Sequence, residues 1–328
     1  MNRPRPVVLM VLDGFGISPP SRANAISLAK TPNLDKYANN YPIMPLAASG
    51  EAVGLSWGEM GNSQVGHLSL GAGLIPYQYL PRITKSITDG DFFDNEAFLK
   101  AIKHAKKQKC ALHLLGLIST GGVHSYNEHL YALLDLAKKE GLEKVYIHAF
   151  LDGRDALYNS GLNFITKLQN KIDEVGVGEI VTLSGRFYAM DRDNRWDRIE
   201  LAWHAIVDGQ SEEKFPDPLQ AIQASYDKKV YDEEFKPTVI VDKAGQPLAT
   251  IKDNDAVIFF NFRSDRARQL TEALVVPGFI KFKREYFRNL LMVTMTQYEK
   301  DLPVSVAYPP LVIDEPMSKI ISEAGLKQ

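Results

Sequence analysis

Five apolar runs in this chain are each followed closely by ionisable side chains. Asp13 follows Val7–Leu12, within Asp13-Gly-Phe-Gly16. His124 follows a run ending at Ile118, across Thr120-Gly-Gly122. Arg154 and Asp155 follow Leu151, Arg186 follows Leu183, and Arg263 and Arg266 follow Phe262. In open α/β sheets ligands bind outside the carboxyl ends of the strands, so such residues are candidates for binding and catalysis. Each alone has an ordinary reading: an aspartate forms turns, a histidine sits in a loop, and Arg154–Asp155 makes a surface ion pair. Arg192 reads equally well as part of a solvated loop. Together, Arg154, Arg186, Arg192, Arg263 and Arg266 describe a pocket for anionic groups, because guanidinium forks match phosphate and carboxylate bidentately. Arg266 is expected in the first turn of a helix begun by Ser264 or Asp265, where free N–H groups add to anion binding.

A second constellation is Met60-Gly-Asn-Ser-Gln-Val-Gly-His67. Ser63 stands between a glycine-led turn and a short helical run, as an exposed nucleophile or simply as an N-cap. No Ser–His–Asp arrangement is readable; His67 lies one helical turn on and points back only if the helix is regular. A serine without a base needs another activator. A metal ion lowers a hydroxyl pKa and also holds a phosphoryl group, and Asp13 is the natural first ligand.

The elements that must position these residues follow from the apolar pattern. Strands are expected at Val7–Leu12, Ala111–Ile118, Lys144–Leu151, Glu179–Leu183, Ala256–Phe262 and Asn289–Thr296. Amphipathic helices lie between them: one through Phe98, Ile102 and Ala105 capped by Asp94 or Asn95, one through Leu130–Ala137 stopping at Gly141, and one through Leu162–Ile172 before Gly176. The alternation predicts an α/β protein with mostly parallel strands. Proline-bearing stretches at Pro76–Pro81 and Pro303–Pro310 read as linkers. They divide the chain into an inserted block, 78–312, and a second domain made from 1–77 and 313–328.

Composition narrows the classes. The 328 residues exceed one simple core of ~100–200 residues. A formal net charge of −2 excludes a general nucleic-acid binder but says nothing against a small anionic ligand. The lone Cys110 forms no internal disulfide, which with the absence of a long apolar run predicts a cytoplasmic protein without a membrane span.

The segments Val11–Gly16, Gly50–Leu55, Gly61–His67, Gly121–Ser125, Phe150–Asp155, Ser184–Asp193 and Asn261–Arg266, in this order, resemble the cofactor-independent (2,3-bisphosphoglycerate-independent) phosphoglycerate mutases of the alkaline phosphatase superfamily. The resemblance runs from residue 6 to the last residue. It implies interconversion of 3-phosphoglycerate and 2-phosphoglycerate in glycolysis and gluconeogenesis, with no bisphosphoglycerate cofactor and no macromolecular partner, by a monomer. It implies an alkaline-phosphatase-like metal domain, incomplete here, carrying an inserted α/β transfer domain. Ser63 would be the nucleophile that becomes phosphoserine. Asp13 and Ser63 would ligate one of two divalent metal ions, manganese. His124, Arg154, Asp155, Arg186 and Arg192 would grip the glycerate, Asp155 would handle the hydroxyl proton, and Arg263 and Arg266 would help hold the phosphate.

Two departures qualify these expectations. Leu74, Pro76, Tyr79 and Pro81 replace usual residues at the first linker, and Thr120 and Tyr126 replace a common Asp and His. Family members also continue well past the stretch that ends here at Gln328, and the remaining aspartate and histidine metal ligands and a phosphate-binding lysine lie there. The chain therefore reads as the N-terminal two-thirds of such a mutase, inactive alone. The alternatives are a fragment that at most binds phosphoglycerate, and another phosphomutase or phosphohydrolase of the same superfamily.

Overall fold

The computed structural model describes residues 6–328. The chain divides into two units, one built from the residues up to Pro81 with Val312–Gln328, the other from Arg82–Leu311.

The second unit is organised by one sheet. Its strands are β1 (Leu112–Ile118), β2 (Val145–Leu151), β3 (Glu179–Gly185), β4 (Lys214–Phe215), β5 (Thr238–Ile240), β6 (Ala256–Phe259), β7 (Leu291–Thr296) and β8 (Ser305–Tyr308). They lie in the order β4-β5-β3-β2-β1-β6-β7-β8. The run from β3 to β8 is parallel, while β5, with β4 parallel to it, reverses direction against β3. Every residue of β1 is buried, as expected for a parallel strand covered on both faces. The polar exceptions satisfy one another: His113 Nδ1 lies 3.0 Å from His148 Nε2, and His113 Nε2 lies 3.2 Å from Asp255 Oδ2. The chain begins the sheet at β1, winds outward through β2 and β3, and returns to the other side of β1 with β6. The crevice between the carboxyl ends of β1 and β6 is thus the topological switch point, where doubly wound sheets bind ligands.

The expected helices form where their caps place them. In Glu96–Gln108, the Asn95 side chain accepts from the N–H groups of Ala97 (3.0 Å) and Phe98 (3.4 Å). Helix Asn127–Lys139 precedes Gly141 (φ 67°), and Gly161–Val175 ends at Gly176 (φ 74°); both glycines take the left-handed conformation that costs other residues energy. No helix among the described residues is long and apolar enough to cross a membrane.

Three expectations need correction. Val7–Leu12 is not a strand, and its side chains are exposed, from 45% at Leu12 to 84% at Val7. A buried strand requires hydrogen-bonded neighbours and covered faces, and the first unit contains no strand among its described residues. The stretch Pro303–Pro310 is not a free linker, because its centre is the edge strand β8, paired with β7. Its prolines lie outside the paired residues, where no ladder donor is lost. Likewise Tyr79–Pro81 opens the helix Tyr79–Asp89, proline being tolerated in a first turn.

The first unit is mainly short helices and irregular chain, with a small apolar cluster of Val53, Leu55 and Val65. Its helix Ser63–Ala72 is capped by Asn62, whose side-chain oxygen accepts from the Val65 N–H at 3.0 Å.

Candidate functional site

Asp152 builds the turn after β2. Its Oδ1 accepts from the backbone N–H groups of Arg154 (3.2 Å) and Asp155 (3.0 Å), and its Oδ2 from the Ser119 hydroxyl at 2.5 Å. Arg186 at the end of β3 reaches into this turn. Only 2% exposed, it donates through Nη1 to Asp152 Oδ1 and to Asp155 Oδ2, both at 2.6 Å. Burial alone would push the Asp152 carboxyl up, but the hydrogen bonds from Ser119, the Asp155 backbone and Arg186 hold it below the usual carboxylate value.

His124 closes the crevice from the β1 side. Its carbonyl accepts from the Phe262 N–H at 2.8 Å, which ties the loop after β1 to the chain leaving β6. The ring is 3% exposed and stands between two carboxylates, with Nε2 3.8 Å from Asp155 and Nδ1 3.7 Å from Asp265. Both distances are too long for direct hydrogen bonds. Burial, reinforced by the Arg186 charge, pushes His124 down to about 4 despite those carboxylates. The ring is therefore neutral at physiological pH. Its folded value lies below the ordinary 6.5, so its contribution to stability is complete above that pH and is lost as pH falls toward about 4. We expect the His124 ring resonances in proton NMR to titrate near pH 4; a midpoint near 6.5 would contradict this packing.

Asp265 gathers the remaining cations. Its Oδ2 accepts from Arg192 Nη1 at 2.7 Å and from Arg263 Nη2 at 3.3 Å, and Arg263 Nε stands 3.1 Å from Oδ1 as an ion pair. Burial raises its carboxyl, yet the Arg192 hydrogen bond and the Arg263 and Arg192 charges outweigh this, leaving it below the usual value. Arg266 donates to the Met190 carbonyl at 3.1 Å and has no carboxylate partner among the described residues. Burial and the fields of Arg186, Arg192 and Arg154 lower its pKa, the signature of crowded positive charge. Arg154 pairs with Glu233 at 3.2 Å. Five guanidinium groups thus face Asp152, Asp155, Asp265 and Glu233, leaving one cation in excess and the Arg186 Nε without a partner.

Of the sequence candidates, His124, Arg154, Asp155, Arg186, Arg192, Arg263 and Arg266 come together at the switch point. One detail is corrected: Arg266 does not lie in a helix. The helix begins at Arg268 after Ala267, and Ser264–Ala267 forms a turn closed by the Ser264 carbonyl. Asp152 and Asp265 were missed as pocket residues. The Asp-Gly pair at 152–153 was a legible turn signal for the first. The second showed only as a possible helix cap, since its partners are set by tertiary contact.

Asp13 and Ser63 meet in the first unit. The Ser63 hydroxyl donates to Asp13 Oδ2 at 2.6 Å, and His67 Nδ1 lies 3.1 Å from Ser63 Oγ and 2.8 Å from the Ser63 carbonyl. The helix is regular enough for His67 to point back. Asn62 serves as the cap, which leaves the Ser63 hydroxyl free of that task. As a metal site this is insufficient. A carboxylate and a hydroxyl fall far short of the six or more oxygens a hard divalent cation takes, and no group of three potential ligands occurs among the described residues.

The chain is 50% identical over 349 aligned positions to the 2,3-bisphosphoglycerate-independent phosphoglycerate mutase of Chloroflexus aurantiacus, covering 100% of this chain and 64% of that protein. It is 54% identical to the mutase of the same description from Clostridium beijerinckii, covering 99% of this chain and 63% of that protein. The chain therefore spans less than two-thirds of the length of the curated relatives it matches. Among solved structures, phosphoglycerate mutase of Leishmania mexicana, determined at low cobalt concentration, superposes with a TM-score of 0.72 at 33% identity, over 97% of this chain and 60% of that one. A family model described as the BPG-independent PGAM N-terminus matches residues 83–300, the stretch that holds the whole arginine cluster, and the chain belongs to that family.

Proposed function

We propose that this chain holds phosphoglycerate and carries the nucleophile for interconversion of 3-phosphoglycerate and 2-phosphoglycerate. The observation that carries this reading is the convergence of five arginines with neutral His124 and Asp155 from four strand ends at one switch point. A small polyanion needs such a site twice over: guanidinium forks for its carboxylate, and further cations for its phosphate. Arg186, held rigid by two carboxylates, orients Asp155. Asp155 is then placed to take or return the proton of a glycerate hydroxyl while His124 donates a neutral hydrogen bond beside it.

Ser63 is the phosphoryl acceptor in this reading. Its hydroxyl proton already points at Asp13, which directs an oxygen lone pair outward. Asp13 and Ser63 would be two of the ligands for the divalent metal ions, whose chemistry is to activate the hydroxyl and neutralise the phosphate; the residues here do not complete such a site. The domain division, with the first unit phosphatase-like and the second an inserted transfer domain, belongs to the same proposal. So does the expectation that the 328-residue chain binds without converting.

Calorimetric titration of the purified chain with 3-phosphoglycerate tests the reading. Binding at one site, weakened by added salt, is expected, with no 2-phosphoglycerate formed when manganese is supplied. Inorganic sulfate binding as tightly as 3-phosphoglycerate would sink it, because a site built for carboxylate and phosphate together must prefer the ligand that has both.

A further inference from the structure

The short turn Asp232–Glu234 is remote in sequence from the arginine cluster, yet it is wedged against two of the strand ends that carry it. Gly153 and Gly185 each immediately precede an arginine, Arg154 and Arg186. A Cβ on Gly153 would lie 2.6 Å from the Glu233 backbone nitrogen and 3.0 Å from Asp232 Cβ. A Cβ on Gly185 would lie 2.6 Å from the Phe235 nitrogen and closer still to the Glu233 carbonyl oxygen. The Gly185 N–H also donates to the Phe235 carbonyl at 2.7 Å. These glycines leave room for the turn to pack directly on the backbone that aims both guanidinium groups.

Asp232 anchors the turn. It is fully buried, and its Oδ2 accepts from the Gly161 N–H at 2.7 Å and the Ser160 hydroxyl at 3.3 Å, while the Tyr226 hydroxyl donates to Oδ1. Its own N–H donates to the Tyr158 carbonyl at 3.1 Å. No ion pair to Asp232 occurs among the described residues. Tyr226, from the helix Pro218–Asp227, is the titratable group in contact with it, Glu233 and Glu234 flank it in the turn, and Arg154 pairs with Glu233 instead. Burial without a cation pushes the Asp232 carboxyl up to about 6 in spite of these hydrogen bonds. A buried ionised carboxylate of this kind costs stability, and a neutral residue would pack there more cheaply.

We propose that Asp232 is a positioning residue for the anion site: its ionised carboxylate holds the 232–234 turn against Gly153 and Gly185, and thereby fixes the direction of Arg154 and Arg186. The inference rests on the reading of the arginine cluster as the glycerate-holding site. An ionised carboxylate accepts all three donors at once. A protonated one is neutral and turns one oxygen into a donor: on Oδ1 the bond from the Tyr226 hydroxyl must reverse, and on Oδ2 the Gly161 N–H is displaced, while every remaining hydrogen bond loses its charged acceptor. Protonation therefore loosens the turn and, through the two glycines, both arginines.

The test is glycerate binding by calorimetry to the 328-residue chain between about pH 5 and 8, where the glycerate carboxylate stays ionised. Wild-type affinity is expected to fall severalfold as pH drops through about 6. Asp232→Asn, which keeps size and one acceptor, should bind about tenfold more weakly at the upper end of the range and lose the step, since one charged hydrogen-bond acceptor has become neutral. Tyr226→Phe removes one donor to Asp232 and should move the step to higher pH; it serves as the decisive variant if Asp232→Asn does not fold. Wild-type affinity and pH profile in the Asp232→Asn variant, or an unmoved step in Tyr226→Phe, overturns the proposal. If the wild-type chain binds neither glycerate nor 3-phosphoglycerate at any pH, the reading of the site itself falls, and this inference with it. A merely structural role would change the urea midpoint and leave the pH step in place.

Discussion

Replacing Arg186 by methionine abolishes phosphoglycerate binding and lowers the stability of the chain by about 3–5 kcal/mol at neutral pH, the range for removing one partner of a buried ion pair. Arg186 is 2% exposed and donates 2.6 Å hydrogen bonds to two carboxylates, Asp152 and Asp155. Methionine fills part of the volume but leaves both acids without their cation, and Asp152 is itself buried. The sign with pH follows. Asp152 is held below its ordinary value in the folded protein, so the stability it contributes is complete above that ordinary value and lost as pH falls through the lower one. In Arg186→Met the carboxyl is no longer held down and takes up a proton more readily, so the deficit is largest near neutrality and shrinks on acidification. Urea midpoints for both proteins at about pH 7 and pH 5 measure this. A variant with the wild-type midpoint and wild-type affinity would show that the 2.6 Å contacts carry neither stability nor function.

Ser63→Ala, made in a polypeptide that joins this chain to the remaining third of the relatives' length, loses the phosphoenzyme and at least about a thousandfold of the turnover rate, as nucleophile deletions do. The fold should hardly respond. Asn62, not Ser63, caps the helix Ser63–Ala72, and the hydroxyl's partner, Asp13, keeps solvent contact. Binding of 3-phosphoglycerate should also survive, because the arginine cluster contains no atom of Ser63. The measurement is acid-stable incorporation of phosphate into the protein beside a binding titration. A phosphoserine that persists in Ser63→Ala would assign the nucleophile elsewhere; loss of binding together with labelling would mean that Ser63 supports the site rather than reacts in it.

Much of the second unit was legible along the chain. The buried parallel strands β1, β2 and β3 read as apolar runs because both of their faces are covered, and their boundaries follow within a residue or two. Asn95 and Gly176 act at their own helix ends, so their meaning is local. The short strands β4, β5 and β8 were not legible. With two to four residues they carry too little periodicity, and they exist because a neighbouring strand offers a ladder. Val7–Leu12 shows the converse: six apolar residues make no strand where the described residues of their unit offer no strand to pair with.

The same division runs through the candidate site. Residue type and position along the chain set which groups are available: five arginines, a histidine and an aspartate at strand ends, and a serine at the head of a helix. Those follow from chemistry and from position along one element. Which group faces which is settled by packing between elements. Arg186 between Asp152 and Asp155, Asp265 between Arg192 and Arg263, and the 232–234 turn seated against Gly153 and Gly185 all join residues that are distant in the chain or on different elements. Propensity and periodicity act over a few residues, whereas these pairings depend on strand order and register, which the packing of the whole sheet sets.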